Sequence, residues 1–231
     1  MKTDLIVALD VPSADSIPQI VSSLPDEISF YKVGLELFTA AGPAALEWLA
    51  QNNKKIFLDL KLHDIPRTVA NAVKSAAQQK VALLTVHAGG GRAMLTAAAE
   101  AAAEIGANAP KIVAVTTLTS LDQNDLTELG IQRPLAEHTA ALGQLAIECG
   151  IDGLVCSPLE VANFRKQLGP DPILVTPGIR PAGGDVGDQK RIATPASSVK
   201  DGSSFLVVGR PILAAENPPA AASEILKQMA S

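Results

Sequence analysis

Short apolar runs rich in β-branched residues recur along the whole chain. They fall at 4–10 (DLIVALD), 28–34 (ISFYKVG), 55–60 (KIFLDL), 81–87 (VALLTVH), 111–116 (KIVAVT), 151–156 (IDGLVC), 172–176 (PILVT) and 204–209 (SFLVVG). Each is close to continuously apolar instead of alternating with polar residues, as expected of a strand buried on both faces. Between them lie Ala- and Leu-rich stretches with helical character, at 36–51, 67–79, 92–104, 134–149 and 159–168. Most strand-to-strand intervals leave room for one helix and two loops, and the long interval before 156 holds an additional segment at 121–133. Eight β–α units without a break in composition predict one (β/α)8 TIM barrel, an α/β fold occupying 1–231 as a single domain. An open doubly wound sheet is the competing architecture. It is disfavoured because the turn after the first strand reads DVPSAD and lacks a GxGxxG pattern.

Composition narrows the functional classes. The chain has 231 residues, 47% hydrophobic, with 19 basic and 24 acidic side chains, so it carries no positive surplus for a nucleic-acid backbone. A chain this long buries roughly 70% of its unfolded surface and needs no disulfide or metal to stay folded. Cys149 and Cys156 fit no redox or metal motif and read as buried thiols of a protein in a reducing compartment. The apolar run at 5–9 is too short for a signal-peptide core, and no stretch approaches a membrane span, so a cytoplasmic location and no membrane partner are expected. His63, His87 and His138 are scattered without metal-ligand spacing, and no metal or other cofactor is expected. Gly89-Gly90-Gly91 reads as a tight turn after the fourth strand, and AAAEAAAE at 97–104 as plain helix.

In a barrel, chemistry gathers at the C-terminal ends of the strands and in the loops that follow them. The polar residues of this chain gather there: Asp10, Lys32, Asp59, Lys61, His87, the 116–120 segment, Arg180 and Arg210. The sharpest cluster is Asp59-Leu60-Lys61-Leu62-His63-Asp64. Residues two apart on a strand share a face, so Asp59 and Lys61 point together while Leu60 packs outward. Lys32 shares a face with Phe30 and Gly34 on the neighbouring strand, within reach of Asp59. Asp64 joins only if the chain turns at Ile65-Pro66, which would complete an alternating row Lys–Asp–Lys–Asp. A purely structural ion-pair network is the alternative. Buried pairs add little net stability, which favours a functional account.

A second cluster suits phosphate. Thr176-Pro177-Gly178-Ile179-Arg180 follows the seventh strand and Gly209-Arg210-Pro211 the eighth, the two loops that commonly hold phosphate in barrels. Gly209 permits close backbone approach, Pro211 suits a first helical turn, and the two arginines offer forked donors. The Gly-rich stretch 180–190 is suited to a lid, with Gln189 placed to touch a ligand on closure. Solvated loop arginines and an ordinary surface loop are the plainer readings.

Taken in order, Leu9-Asp10, Tyr31-Lys32-Val33-Gly34, Asp59-Leu60-Lys61-Leu62-His63-Asp64-Ile65-Pro66 with Thr68, Leu118-Thr119-Ser120, Pro177-Gly178-Ile179-Arg180-Pro181 and Val208-Gly209-Arg210-Pro211 resemble the motifs of the orotidine 5′-phosphate decarboxylase family, in its short bacterial form. The resemblance covers essentially the whole chain. It implies cofactor-independent decarboxylation of orotidine 5′-monophosphate to uridine 5′-monophosphate, the last step of UMP synthesis. It further implies that Lys61 protonates C6, that Asp59 sits against the substrate carboxylate, and that Asp10 and Lys32 hold the ribose hydroxyls. Thr119 or Ser120 would address the pyrimidine edge, and Gln189, Gly209 and Arg210 the phosphate, with Pro177 and Arg180 at the same end. Asp64, Ile65 and Thr68 would reach into a neighbouring subunit's site, making a homodimer. The Asp-x-Lys-x-x-Asp core also occurs in metal-dependent sugar-phosphate aldolases and decarboxylases of the same suprafamily, which is the rival reading. A non-catalytic module that binds a phosphate ligand is a third.

Overall fold

A computed structural model describes residues 3–181 and 191–231. Eight parallel strands close into a barrel in sequence order: β1 (Asp4–Ala8), β2 (Phe30–Gly34), β3 (Lys55–Leu62), β4 (Leu83–His87), β5 (Lys111–Val115), β6 (Gly153–Val155), β7 (Ile173–Thr176) and β8 (Phe205–Val208). Every sequence-predicted strand is present, and closure of β8 onto β1 rules out the open doubly wound sheet.

Around the barrel run α1 (Ile17–Ser23), α2 (Leu35–Ala41), α3 (Ala44–Gln51), α4 (Pro66–Gln78), α5 (Gly91–Ile105), α6 (Gln123–Glu128), α7 (Leu135–Glu148), α8 (Val161–Leu168), α9 (Pro195–Lys200), α10 (Arg210–Leu213) and α11 (Pro218–Ala230). The helix expected over 36–51 is two helices, because Gly42 takes φ 58° and Pro43 follows it. The segment 121–133 contributes α6, opened by an Asp122/Asp125 capping box. The glycine triplet forms the expected turn: a short 3-10 stretch precedes α5, and Gly91 sits at φ 79°. Cys149 and Cys156 are buried free thiols. Among the described residues no helix is long and apolar enough to cross a membrane.

Two apolar cores separate along each strand by strict alternation. Outward residues such as Val7, Tyr31, Val33, Leu58, Leu84, Ala114, Leu154 and Leu206 pack against the helices. Inward residues Ile6, Ala8, Phe30, Phe57, Leu83, Val113, Val175 and Val207 fill the barrel itself. In α4, Val69, Val73 and Ala76 recur at helical spacing and bury one face. The inward row continues upward into polar residues, with Lys32 two positions beyond Phe30, Asp59 beyond Phe57 and Thr85 beyond Leu83. The strand period that builds the core therefore also delivers the charges to the barrel mouth.

Candidate active site

The charged row forms on three adjacent elements. Lys32 Nζ donates to Asp10 Oδ1 at 2.8 Å and lies 3.8 Å from Asp59 Oδ2. Lys61 Nζ bonds both oxygens of Asp59 at 2.9 Å. The Lys32 and Asp59 side chains are only 11% and 13% exposed, Lys61 is 31% and Asp10 51%, so the row is most buried in the middle and opens to solvent at both ends. Two ammonium groups and two carboxylates balance, which is what permits charges at this depth.

The order of the row differs from the sequence expectation. It reads Asp10–Lys32–Asp59–Lys61, and Asp64 is outside it. The chain does turn after Leu62, but it carries Asp64 onto the exposed surface, where its Oδ1 accepts the Ile65 amide at 2.6 Å. Ile65 is 66% exposed and Thr68 is exposed beside it, so neither enters this chain's own cavity.

Lys61 also reaches its place differently from a plain strand residue. The β3–β4 register slips between the pairs Leu58–Leu84 and Leu62–Val86, and Lys61 adopts φ 49°. That left-handed conformation costs a non-glycine residue about 1–2 kcal/mol. The Lys61 amide donates to Thr85 Oγ1 at 2.7 Å, and the Thr85 hydroxyl donates to Asp59 Oδ1 at 3.1 Å. Two further constraints shape the row. A Cβ on Gly34 would lie 2.8 Å from Lys32 Nζ, so position 34 must lack a side chain for that ammonium to sit where it does. A Cβ on Gly209 would meet Ala8 at 3.3 Å and Asp10 Oδ2 at 3.4 Å.

Above the row is a cavity of 310 Å³, within the range of small-ligand sites. Its floor is the top of the apolar barrel filling (Ala8, Phe57, Val115, Val155, Val207), and its polar wall is Asp10, Lys32, Asp59 and Lys61. Thr119 and Ser120 line it from the loop after β5, Pro177 and Arg180 from the loop after β7, and Gly209 and Arg210 from the end of β8. One cavity thus gathers Asp59 and Lys61 of the first sequence-predicted cluster with Pro177, Gly178, Arg180, Gly209 and Arg210 of the second, while Asp64 stays outside it. Gln189 lies outside the described residues, as does most of the stretch read as a lid.

Sequence reasoning missed Thr85 and Arg191. Thr85 reads as ordinary β-branched strand filler, although its inward parity with Leu83 was a signal. Arg191 forms a buried ion pair with Glu160, and its Nη2 donates to the carbonyls of Thr117 at 3.3 Å and Leu118 at 3.1 Å. It braces the loop that carries Thr119, and its partner is too distant in sequence for any spacing rule to find it. Burial pushes the Glu160 carboxyl above its usual range, and the Arg191 charge pulls part of that back. Next to the site, His87 and His63 stack with centroids 5.0 Å apart, and His87 Nδ1 accepts the Gly89 amide at 3.1 Å. Burial, then the His63 and Lys61 charges, hold His87 below the usual histidine range, favouring a neutral ring with its proton on Nε2.

Comparison with known proteins agrees with this geometry. Residues 3–225 match the model of the Orotidine 5′-phosphate decarboxylase / HUMPS family. An orotidine 5′-phosphate decarboxylase of Moorella thermoacetica is 48% identical over 233 residues, covering 99% of this chain and 92% of the relative. One from Nostoc is 47% identical, covering 97% of this chain and 96% of the relative. The crystal structure of orotidine 5′-phosphate decarboxylase from Lactobacillus acidophilus superposes with a TM-score of 0.87 at 41% identity, covering all of both chains. With its closed barrel, its Asp–Lys–Asp–Lys row and matches of this extent, the chain belongs to the orotidine 5′-phosphate decarboxylase / HUMPS family.

Proposed function

We propose that the protein converts orotidine 5′-monophosphate to uridine 5′-monophosphate and CO2 in pyrimidine synthesis, without a cofactor, with Lys61 as the proton donor. The observation that carries this reading is the Lys61 ammonium held at 2.9 Å from both Asp59 oxygens above an apolar floor. Loss of CO2 leaves an electron pair at C6 that the pyrimidine ring delocalises poorly. An ammonium fixed beside C6 stabilises that charge in place and then delivers its proton there. Asp59 faces the substrate carboxylate. At about 4 Å their repulsion is worth about 1–4 kcal/mol, and it vanishes as CO2 departs. A rate enhancement of about 20 kcal/mol exceeds that several times over, so the larger share falls to the preset charges and to binding energy from remote parts of the substrate.

The remaining roles follow the cavity. Asp10 and Lys32 hold the ribose hydroxyls, Thr119 or Ser120 the pyrimidine edge, and Arg180, Gly209 and Arg210 the phosphate, with Pro177 shaping that end. The family resemblance alone adds Gln189 to the phosphate group. Asp64, Ile65 and Thr68, exposed and outside their own cavity, complete the site of a second copy in a cytoplasmic homodimer. Mixing inactive Lys61→Ala with inactive Asp64→Ala protein should then restore activity through hybrid dimers, one site of which is intact.

A metal-dependent sugar-phosphate reaction would need carboxylates open to a divalent cation. Here Asp59 is occupied by Lys61 and flanked by Lys32, which repels such an ion, and Glu36 is exposed. The deciding assay follows the ultraviolet absorbance of orotidine 5′-monophosphate with excess chelator present. Full-rate turnover supports the proposal, and turnover that requires added metal, or none at all, overturns it.

A further inference from the structure

We infer that Thr85 is a positioning residue for the proposed decarboxylation, its hydroxyl locking the Lys61 backbone to the Asp59 carboxylate; this rests on the function proposed above. Between the paired residues Leu58–Leu84 and Leu62–Val86, β3 takes four steps while β4 takes two. The ladder is irregular there, and the Lys61 amide turns to a side chain on β4. Thr85 sits beside the slip, fully buried, and its hydroxyl is the acceptor at 2.7 Å.

A hydroxyl has one proton and two lone pairs. Accepting from the Lys61 amide leaves its proton for Asp59 Oδ1, 3.1 Å away. Asp59 Oδ1 in turn accepts from Lys61 Nζ. A closed circuit results, running from Lys61 backbone to Thr85 hydroxyl to Asp59 carboxylate to Lys61 ammonium. It fixes both ends of one lysine, and the strained φ of 49° is held by it. Thr85 does not line the cavity, so it acts through Lys61 and Asp59 and not on the substrate. Serine preserves the circuit. Valine keeps the shape and removes it.

The test compares Thr85→Val and Thr85→Ser in the whole protein. Thr85→Val should lower kcat per folded active site by about 10–100-fold, the range for a buried donor or acceptor left unpaired. KM for orotidine 5′-monophosphate and inhibition by uridine 5′-monophosphate should stay within about threefold, because only the transition-state geometry is disturbed. Thr85→Ser should recover kcat to within about threefold of the parent, since it restores both hydrogen bonds. Amide hydrogen exchange at Lys61 should accelerate in Thr85→Val while that of Val33 is unchanged. Should Thr85→Val fail to fold, Thr85→Ala removes the same hydroxyl and is read in the same way. The inference is overturned if the hydroxyl-free variant keeps kcat within about twofold, or if serine is as damaging as valine, which would make the methyl group the active part. If the parent protein shows no turnover, the proposed function falls. The exchange rate at Lys61 then still decides whether Thr85 holds that backbone.

Discussion

The two ends of the cavity are built on different principles. At one end, Lys32, Asp59 and Lys61 sit within or at the close of strands, Asp59 pairs with the two lysines at 2.9 and 3.8 Å, and the group rests on an apolar floor. At the other, Arg180 stands on the loop after β7 and Arg210 opens α10 directly after β8, where it is exposed. The first end is preorganised: its charges are neutralised before a ligand arrives, and little has to reorganise during reaction. Under the proposed function the second grips an anion, using guanidinium groups and close backbone approach at Gly209. If the proposed function holds, transition-state stabilisation falls to the strand end and binding energy to the phosphate end, and each can be disturbed separately.

The largest effect should come from the strand end. Lys61→Ala removes the charge proposed to face C6 and to supply the proton, and should lower kcat by at least about 10^4-fold while product binding changes little. Steady-state kinetics with a uridine 5′-monophosphate inhibition series checks this. At the loop end, a substrate lacking the phosphodianion should lose at least about 10^4-fold in kcat/KM, because remote binding energy is then unavailable. A loss of only tenfold would erase the division of labour. Arg210→Ala, one of several contacts at that end, should act mainly by raising KM, by about 10–100-fold.

A smaller change sharpens the strand side. Gly34→Ala brings a methyl to 2.8 Å from the Lys32 ammonium and should push it away from Asp10 and Asp59. Because the far end of a flexible side chain can move, stability should hold within about 1 kcal/mol while kcat falls about 10-fold. Thermal melting beside kinetics separates the two. The smallest effect concerns His87. Its folded-state affinity for protons is depressed, so the unfolded chain binds the proton first as pH falls. Stability from this group is complete above about pH 6.5 and is lost below it as the pH drops through the folded value. Melting temperature should decline between pH 7.5 and 5.5, and His87→Asn should flatten part of that decline.

Much of the barrel was legible because it rests on periodicities. Eight buried strands show as eight apolar runs, and the two-residue rule correctly put Lys32 on the face of Phe30 and Gly34. It also put Asp59 and Lys61 together, and they do meet in the cavity, but the backbone route to that pairing is not a plain strand. Lys61 reaches the cavity through a register slip and a left-handed backbone, and neither leaves a trace in hydrophobic pattern. Charge alternation alone draws Asp64 into the row, yet the turn at Ile65-Pro66 carries it outward, with Ile65 extended ahead of the proline. Asp10 emerged instead as the fourth member, two residues past the end of β1 on the inward face. The Arg191–Glu160 brace was invisible because both residues look like solvated loop charges until the fold brings them together.

The central claim is that the Lys61 ammonium, held by Asp59, meets the electron pair left at C6. The most direct measurement is a crystal structure with uridine 5′-monophosphate bound. The account predicts Lys61 Nζ within about 3–3.5 Å of C6 and the phosphate between Arg180 and Arg210. A bound nucleotide whose C6 faces away from Lys61, with the ammonium still turned to Asp59 alone, would contradict it.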